Sequence, residues 1–108
     1  MIEKEKRRQR YLRDPLPIRL GGLAATLGRI SSSARKSDSA VVVAELLDEA
    51  KHFIEWTAAE ATPEIAAELV QIQRMITLWQ KAWITSKDVH IQRTLLSVQA
   101  KTWSDKAL

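Results

Sequence analysis

The pair with the most chemical potential in this sequence is Glu49 and His52, spaced Glu-x-x-His along a helical segment. That spacing puts a carboxylate and an imidazole on one helix face, as in helical bundles that bind two iron ions. Such a centre needs a second copy of the motif and further inward carboxylates. The other histidine, His90, has no glutamate three residues before it. Glu49 and His52 also lie off the apolar stripe of their segment, so the pair is expected on a solvated face. Gly21-Gly22-Leu23-Ala24-Ala25-Thr26-Leu27-Gly28 lacks the lysine and the preceding strand of a phosphate-binding loop. Two histidines and no strands give no Ser-His-Asp arrangement. The absence of cysteine removes thiolate metal sites, disulfides and a Cys nucleophile. No catalytic residue, metal site or cofactor is therefore assigned, and no small-molecule substrate is expected.

The basic residues have a clearer pattern. Residues 1–36 carry ten basic and three acidic side chains, residues 37–68 one and eight, and residues 69–108 six and two. The segments are thus +7, −7 and +4 within a total of +4. Basic segments of this kind suit a polyanion, with counterions released as phosphates are neutralised. The alternation equally suits copies or partners that meet acidic face to basic face. In the opening segment Arg7, Arg8 and Arg10 are candidates for phosphate contact. Arg19, Arg29 and Lys36 share the face opposite an apolar stripe with Thr26 and Ser33, and Arg35 lies beside them. Arg74 and Lys81 line up with Thr77, and Arg93 and Lys101 with His90 and Ser97. Mixed basic and hydroxyl ridges can hold phosphate oxygens without reading bases. An ordinary solvated helix face is the plainer account of each ridge.

These residues require helices to carry them. Ile2 to Arg13 reads as a short or frayed basic helix, stopped by Asp14-Pro15-Leu16-Pro17. The domain proper is then 16–108, a small all-α bundle of four to five helices, with 1–15 as a basic N-terminal segment. A second helix is expected over Ile18 to Ala34, with Leu20, Leu23, Ala24, Leu27, Ile30 and Ala34 facing inward. Its glycines each cost about 1 kcal/mol against alanine, which close approach of another backbone would offset. A third spans Ala40 to Ala59, capped by Asp38 or Ser39. A fourth begins at Thr62-Pro63-Glu64 and runs to Ile84, with Ile65, Leu69, Ile72, Ile76, Trp79 and Trp83 as its seam. Ser86-Lys87-Asp88 would start a fifth, to Lys106.

That last helix has two apolar faces. Ile91, Leu95, Val98 and Thr102 form one; Val89, Leu96, Ala100, Trp103 and Ala107 form the other. One stripe suffices for a bundle, so the second is either a protein interface or the inside of a central helix. Val89, Leu96 and Trp103 are taken as interface candidates, together with Trp56 at the edge of the third helix's stripe. The charged N-terminus lacks a signal-peptide core, and no apolar run is long enough for a bilayer. The expectation is a soluble cytoplasmic protein without a membrane partner.

Leu16-Pro17-Ile18-Arg19-Leu20-Gly21-Gly22-Leu23-Ala24-Ala25-Thr26-Leu27 resembles a Leu-Pro element leading into a Gly-Leu-rich helix. That pattern is found in the small all-helical subunit of type III CRISPR effector complexes. Leu46-Leu47 with Phe53-Ile54-Glu55-Trp56 is similar to the aliphatic-then-tryptophan helix that follows it there. Leu78-Trp79 and Ala82-Trp83 are similar to the later Trp-containing helix. The family usually has a full amphipathic helix before the Leu-Pro element, where this chain has a short charged stretch, and this chain continues past Trp83. The resemblance implies a non-catalytic subunit of an antiviral ribonucleoprotein that stacks along guide–target RNA. Arg19, Arg29, Arg35 and Lys36 would then be the first RNA contacts. The alternative is an adaptor or self-assembling helical module without nucleic acid.

Overall fold

The computed structural model describes residues 2–36, 40–85 and 89–107. They form five helices: α1 (Ile2–Arg13), α2 (Leu16–Ala34), α3 (Ala40–Ala58), α4 (Pro63–Thr85) and α5 (Val89–Ala107). No strand occurs among the described residues, and the fold is an all-α domain. The candidate caps Asp38 and Ser39, and the Ser86-Lys87-Asp88 start, lie outside the described residues.

Prolines and a threonine set the boundaries. Pro15 precedes α2 in an extended conformation, and its carbonyl accepts the N–H groups of Ile18 and Arg19. Pro17 fits the first turn, where its missing N–H has no partner to lose. At α4 the Thr62 hydroxyl accepts the Ile65 N–H at 3.4 Å, with Pro63 and Glu64 in the first turn.

Helices α2, α3, α4 and α5 close a ring in which α2 packs on α5 and α3, and α3 packs on α4. The α4–α5 contact is much the thinnest side of that ring. Leu23, Leu27, Ile30, Val43, Leu47, Ile54, Leu69, Ile76 and Leu96 are enclosed at its centre. Full burial of each such side chain stabilises by roughly 1.5–3 kcal/mol before entropy is set against it. The inward stripes expected for α2 and α4 are the observed ones, α3 buries Val43, Leu47, Ala50, Ile54 and Thr57, and Leu20, Phe53, Ile65, Trp79 and Trp83 lie at the margin of the core.

Helices α2 and α5 meet along small residues. Ala24, Gly28 and Ser31 face Ser97, Ala100 and Ser104, and side chains bond to backbone across the seam. Ser104 Oγ donates to the Ala24 carbonyl at 2.8 Å, Ser97 Oγ to that of Ser31 at 2.8 Å, and Ser31 Oγ to that of Ser97 at 2.7 Å. A Cβ on Gly28 would lie 3.6 Å from Ser104 Oγ, an ordinary contact. Gly21 and Gly22 differ: nothing lies within 4 Å of a Cβ at either, and neither has positive φ. Gly28 thus meets a serine side chain across the seam, and the expected close approach of another backbone is found at none of the three glycines.

The two faces of α5 are divided in the opposite sense to the interface expectation. Leu96, Ala100, Trp103 and Ala107 are core, while Leu95 and Val98 are 55% and 58% exposed. Leu96 and Trp103 are therefore corrected from interface to core residues: the small-residue contact with α2 turns that face inward. The side chain of Val89 lies outside the described residues.

Helix α1 packs on α3 through Tyr11. The Tyr11 ring stacks on Phe53 with centroids 4.4 Å apart and planes 8° from parallel. Its hydroxyl donates to the Arg19 carbonyl at 3.2 Å and lies 2.5 Å from the buried Thr57 hydroxyl.

Gly21→Ala and Gly22→Ala should each stabilise the protein by about 0.5–1 kcal/mol, since alanine fits both positions and restricts the unfolded chain. Gly28→Leu should destabilise it by about 1–3 kcal/mol by wedging the seam. Urea unfolding of the three variants checks the contrast.

Candidate nucleic-acid interface

The basic residues singled out in the sequence fall into three groups. Arg19 and Arg93 are buried, at 5% and 7% exposure. The Arg19 guanidinium bonds to the Glu60 carboxylate through Nη2 and is enclosed by the packing around the start of α2. Its Nε and Nη1 are buried without a protein partner. The Arg93 guanidinium donates to the Lys36 carbonyl and lies 5.7 Å from the Trp83 ring centroid. Trp83 Nε1 in turn donates to the Ala40 carbonyl at 3.0 Å, so α4 and α5 hold both ends of the α2–α3 connection. Both arginines are corrected from the expected phosphate ridges to structural roles. Thr26 and Ser97, expected beside them on those ridges, are buried as well. Helix α2 is covered on more than one side and α5 turns Arg93 and Ser97 toward it, so a single-stripe reading places these residues wrongly.

A second group is exposed but engaged. Arg8 lies 3.5 Å from Glu5, and Lys101 3.8 Å from Asp105. Arg35 Nε donates to Ser97 Oγ at 2.8 Å. Lys36 and Lys81 are exposed and also make contacts within the chain. The exposed ion pairs of Arg8 and Lys101 are worth little.

The third group is the candidate interface. Arg7 and Arg10 are exposed on the side of α1 that overhangs α3. With Tyr11, Asp14, Glu49 and Phe53 they line a hollow of about 310 Å³. Arg29 Nη2 reaches to 3.9 Å of the Glu49 carboxylate while donating to Thr26 Oγ1 at 3.0 Å. The half-buried Glu49 thus meets Arg29 from α2 and shares a hollow with Arg7 and Arg10 from α1. Arg74 is exposed on α4, on a separate face. Asp14 and Phe53 were not singled out in the sequence as site residues. The signal available was the lone tyrosine within the charged α1, which marks the side of that helix that must be covered.

Trp56 is half-buried in the same aromatic group, 5.7 Å from the Tyr11 centroid and 5.8 Å from that of Phe53. His52 packs its ring on Trp56, and its Nδ1 lies 2.7 Å from the Asp48 carbonyl. Glu49 faces Arg29 instead, so the Glu-x-x-His pair does not converge. Among the described residues no group of three or more His, Cys, Asp or Glu is arranged to hold a metal ion.

A second feature is the thin α4–α5 side. A cleft there is lined by Ile72, Met75, Val98 and Trp103 with Gln71 and Gln99, and Trp79 Nε1 donates across it to Gln99 at 2.6 Å. Leu78, 67% exposed, adds to the outward apolar surface of α4. No described helix is long and apolar enough to cross a membrane. No protein-family model, curated protein or solved structure matches this chain.

Burial raises the Tyr11 phenol above its ordinary value of about 10, against smaller opposing effects of the Thr57 hydrogen bond and the Arg19 charge. The folded protein therefore holds this proton more tightly than the unfolded chain. The associated stability is complete below pH about 10 and is lost as pH rises through the folded value. Tyr11→Phe should lower stability at pH 7 by about 1 kcal/mol, and should flatten the fall in stability above pH about 10. Chemical denaturation at pH 7 to 11 measures both.

Proposed function

We propose that this chain is a non-catalytic subunit of a larger assembly, lying along an RNA backbone and packing against neighbouring protein. The observation that carries this reading is the arginine cluster on a docked helix. Tyr11 docks α1 on the bundle, so Arg7 and Arg10 are presented from a docked helix near Glu49 and its partner Arg29. Positioned guanidinium groups lose less side-chain entropy on meeting phosphates than those on a free tail. The likeness of the Leu16–Leu27 element to CRISPR effector small subunits supports the same class of partner, in an antiviral ribonucleoprotein of the cytoplasm. With Arg19 and Arg93 internal, the RNA contact residues of the proposal are Arg7, Arg10, Arg29, Arg35 and Lys36, with Arg74, Lys81 and Lys101 as outlying cations.

The protein contact rests on a different observation. Val98 is exposed at the α4–α5 cleft, and Leu78 and Leu95 are exposed on the same two helices. Exposed apolar residues of this kind suit a protein partner.

Binding of a fluorescent single-stranded RNA should weaken steeply between 50 and 200 mM salt. Arg7→Gln/Arg10→Gln should weaken it and reduce the salt slope by about two. No binding at low salt, or a salt-independent signal, overturns the RNA part of the proposal. For the protein contact, Val98→Glu should leave stability within about 0.5 kcal/mol while reducing association seen by light scattering or partner capture. Trp103→Glu should instead unfold the domain, because it places a charge in the core. A Val98→Glu variant with unchanged association removes that surface from the proposal.

A further inference from the structure

The hollow between α1 and α3 has a composition that phosphate binding alone does not explain. A site for backbone phosphates is best lined by cations, yet here Asp14 and Glu49 stand beside Arg7 and Arg10. Neither carboxylate is within 4.0 Å of a nitrogen of Arg7 or Arg10, while Glu49 Oε2 meets Arg29 Nη2 at 3.9 Å, a long contact that a base edge would share or displace. Glu49 is the more enclosed of the two acids, with its side chain 25% exposed, and the Phe53 ring adjoins it one turn on along α3. The hollow thus offers acceptors, donors and the rim of the stacked Tyr11–Phe53 pair to one ligand.

We infer that this hollow receives a single unpaired guanine nucleotide, with Glu49 reading the base and Arg7 and Arg10 holding its phosphate. The inference rests on the RNA reading above and names the base that the site would select. The reason is the pattern of donors on each base. Guanine carries adjacent N1–H and N2–H groups on its Watson–Crick edge, which match the two oxygens of one carboxylate. Adenine, cytosine and uracil present to a carboxylate at most one donor group on that edge, flanked by acceptors that the carboxylate repels. Unstacked bases in single-stranded RNA are recognised in this way, on aromatic rings and through their Watson–Crick edges. The hollow, about 310 Å³, is at the lower end of small-ligand sites. An arginine-bearing peptide would also satisfy Glu49, but would set its cation against Arg7 and Arg10.

The test is calorimetric titration of the full chain with 5′-GMP, AMP, CMP and UMP, alongside two RNA probes: oligo-U, and oligo-U with one central guanine. GMP is expected to bind roughly tenfold tighter than the other three nucleotides, the discrimination of one good bidentate contact. The guanine-bearing oligomer should exceed oligo-U by a similar factor. Glu49→Gln should bring GMP down to the level of the others, and Asp14→Asn should not. Arg7→Gln/Arg10→Gln should weaken all four nucleotides alike. Equal binding of the four nucleotides, or a GMP preference that survives Glu49→Gln, overturns the inference. If both oligomers bind equally and with salt dependence, the guanine site fails while the RNA reading stands. If neither oligomer binds at low salt, the RNA reading fails, and GMP selectivity alone then decides whether the hollow is a nucleotide site. Capture of a basic peptide in preference to GMP assigns the hollow to protein and also overturns the inference.

Discussion

The structure depends on how closely α2 approaches α5. Ala24, Gly28 and Ser31 on one side and Ser97, Ala100 and Ser104 on the other leave little between the two helices. Serine hydroxyls reach carbonyls on the opposite helix in both directions. The distance between packed helices is set by the side chains at their contact. A seam of small residues therefore makes this the tightest pair in the domain and fixes the rotation of α5 about its own axis. Leu96, Ala100, Trp103 and Ala107 turn inward as a consequence, and Leu95 and Val98 turn out.

The same closeness explains the burial of Arg93. Where α2 ends, α5 is near enough for Arg93 to reach the Lys36 carbonyl and for Arg35 to reach Ser97. Burying a guanidinium is unfavourable unless its donors are satisfied. At Arg93 the charge satisfies a backbone carbonyl and lies beside the Trp83 ring, a favourable place for a cation. At Arg19 only one of three nitrogens finds a protein acceptor. The neighbouring side of the ring, between α4 and α5, is left loose; among the described residues an indole-to-amide hydrogen bond crosses it beside an apolar cleft, and Arg93 meets the Trp83 ring at its end.

Helix α1 shows how one residue changes the character of a charged segment. Eight of its twelve side chains are charged, so it has almost nothing to bury. Tyr11 provides an aromatic ring for Phe53 and a hydroxyl for the buried Thr57 and the Arg19 carbonyl. The neighbours of Tyr11 on that face, Arg7 and Arg10, are thereby held over α3, where they share a hollow with Glu49. A basic segment that composition would describe as a tail becomes part of a shaped surface.

The amino-acid sequence by itself determined the helices and most of the core. Periodic apolar residues, prolines at 15, 17 and 63, and Thr62 specify elements through local physics: backbone angles, missing donors and the need to bury one stripe. It also determined the layout of charge, which is a property of composition. Only the tertiary structure decided which of two apolar faces of α5 lies inside. It likewise decided that Arg19 and Arg93 are internal, and that Glu49 meets Arg29 and shares a hollow with Arg7 and Arg10. A helical wheel gives each residue an angle, but exposure at that angle depends on how many neighbours the helix has and how near they come. For α2 and α5 that was set by pairing small residues separated by more than sixty positions in the chain, a match that no local pattern reveals.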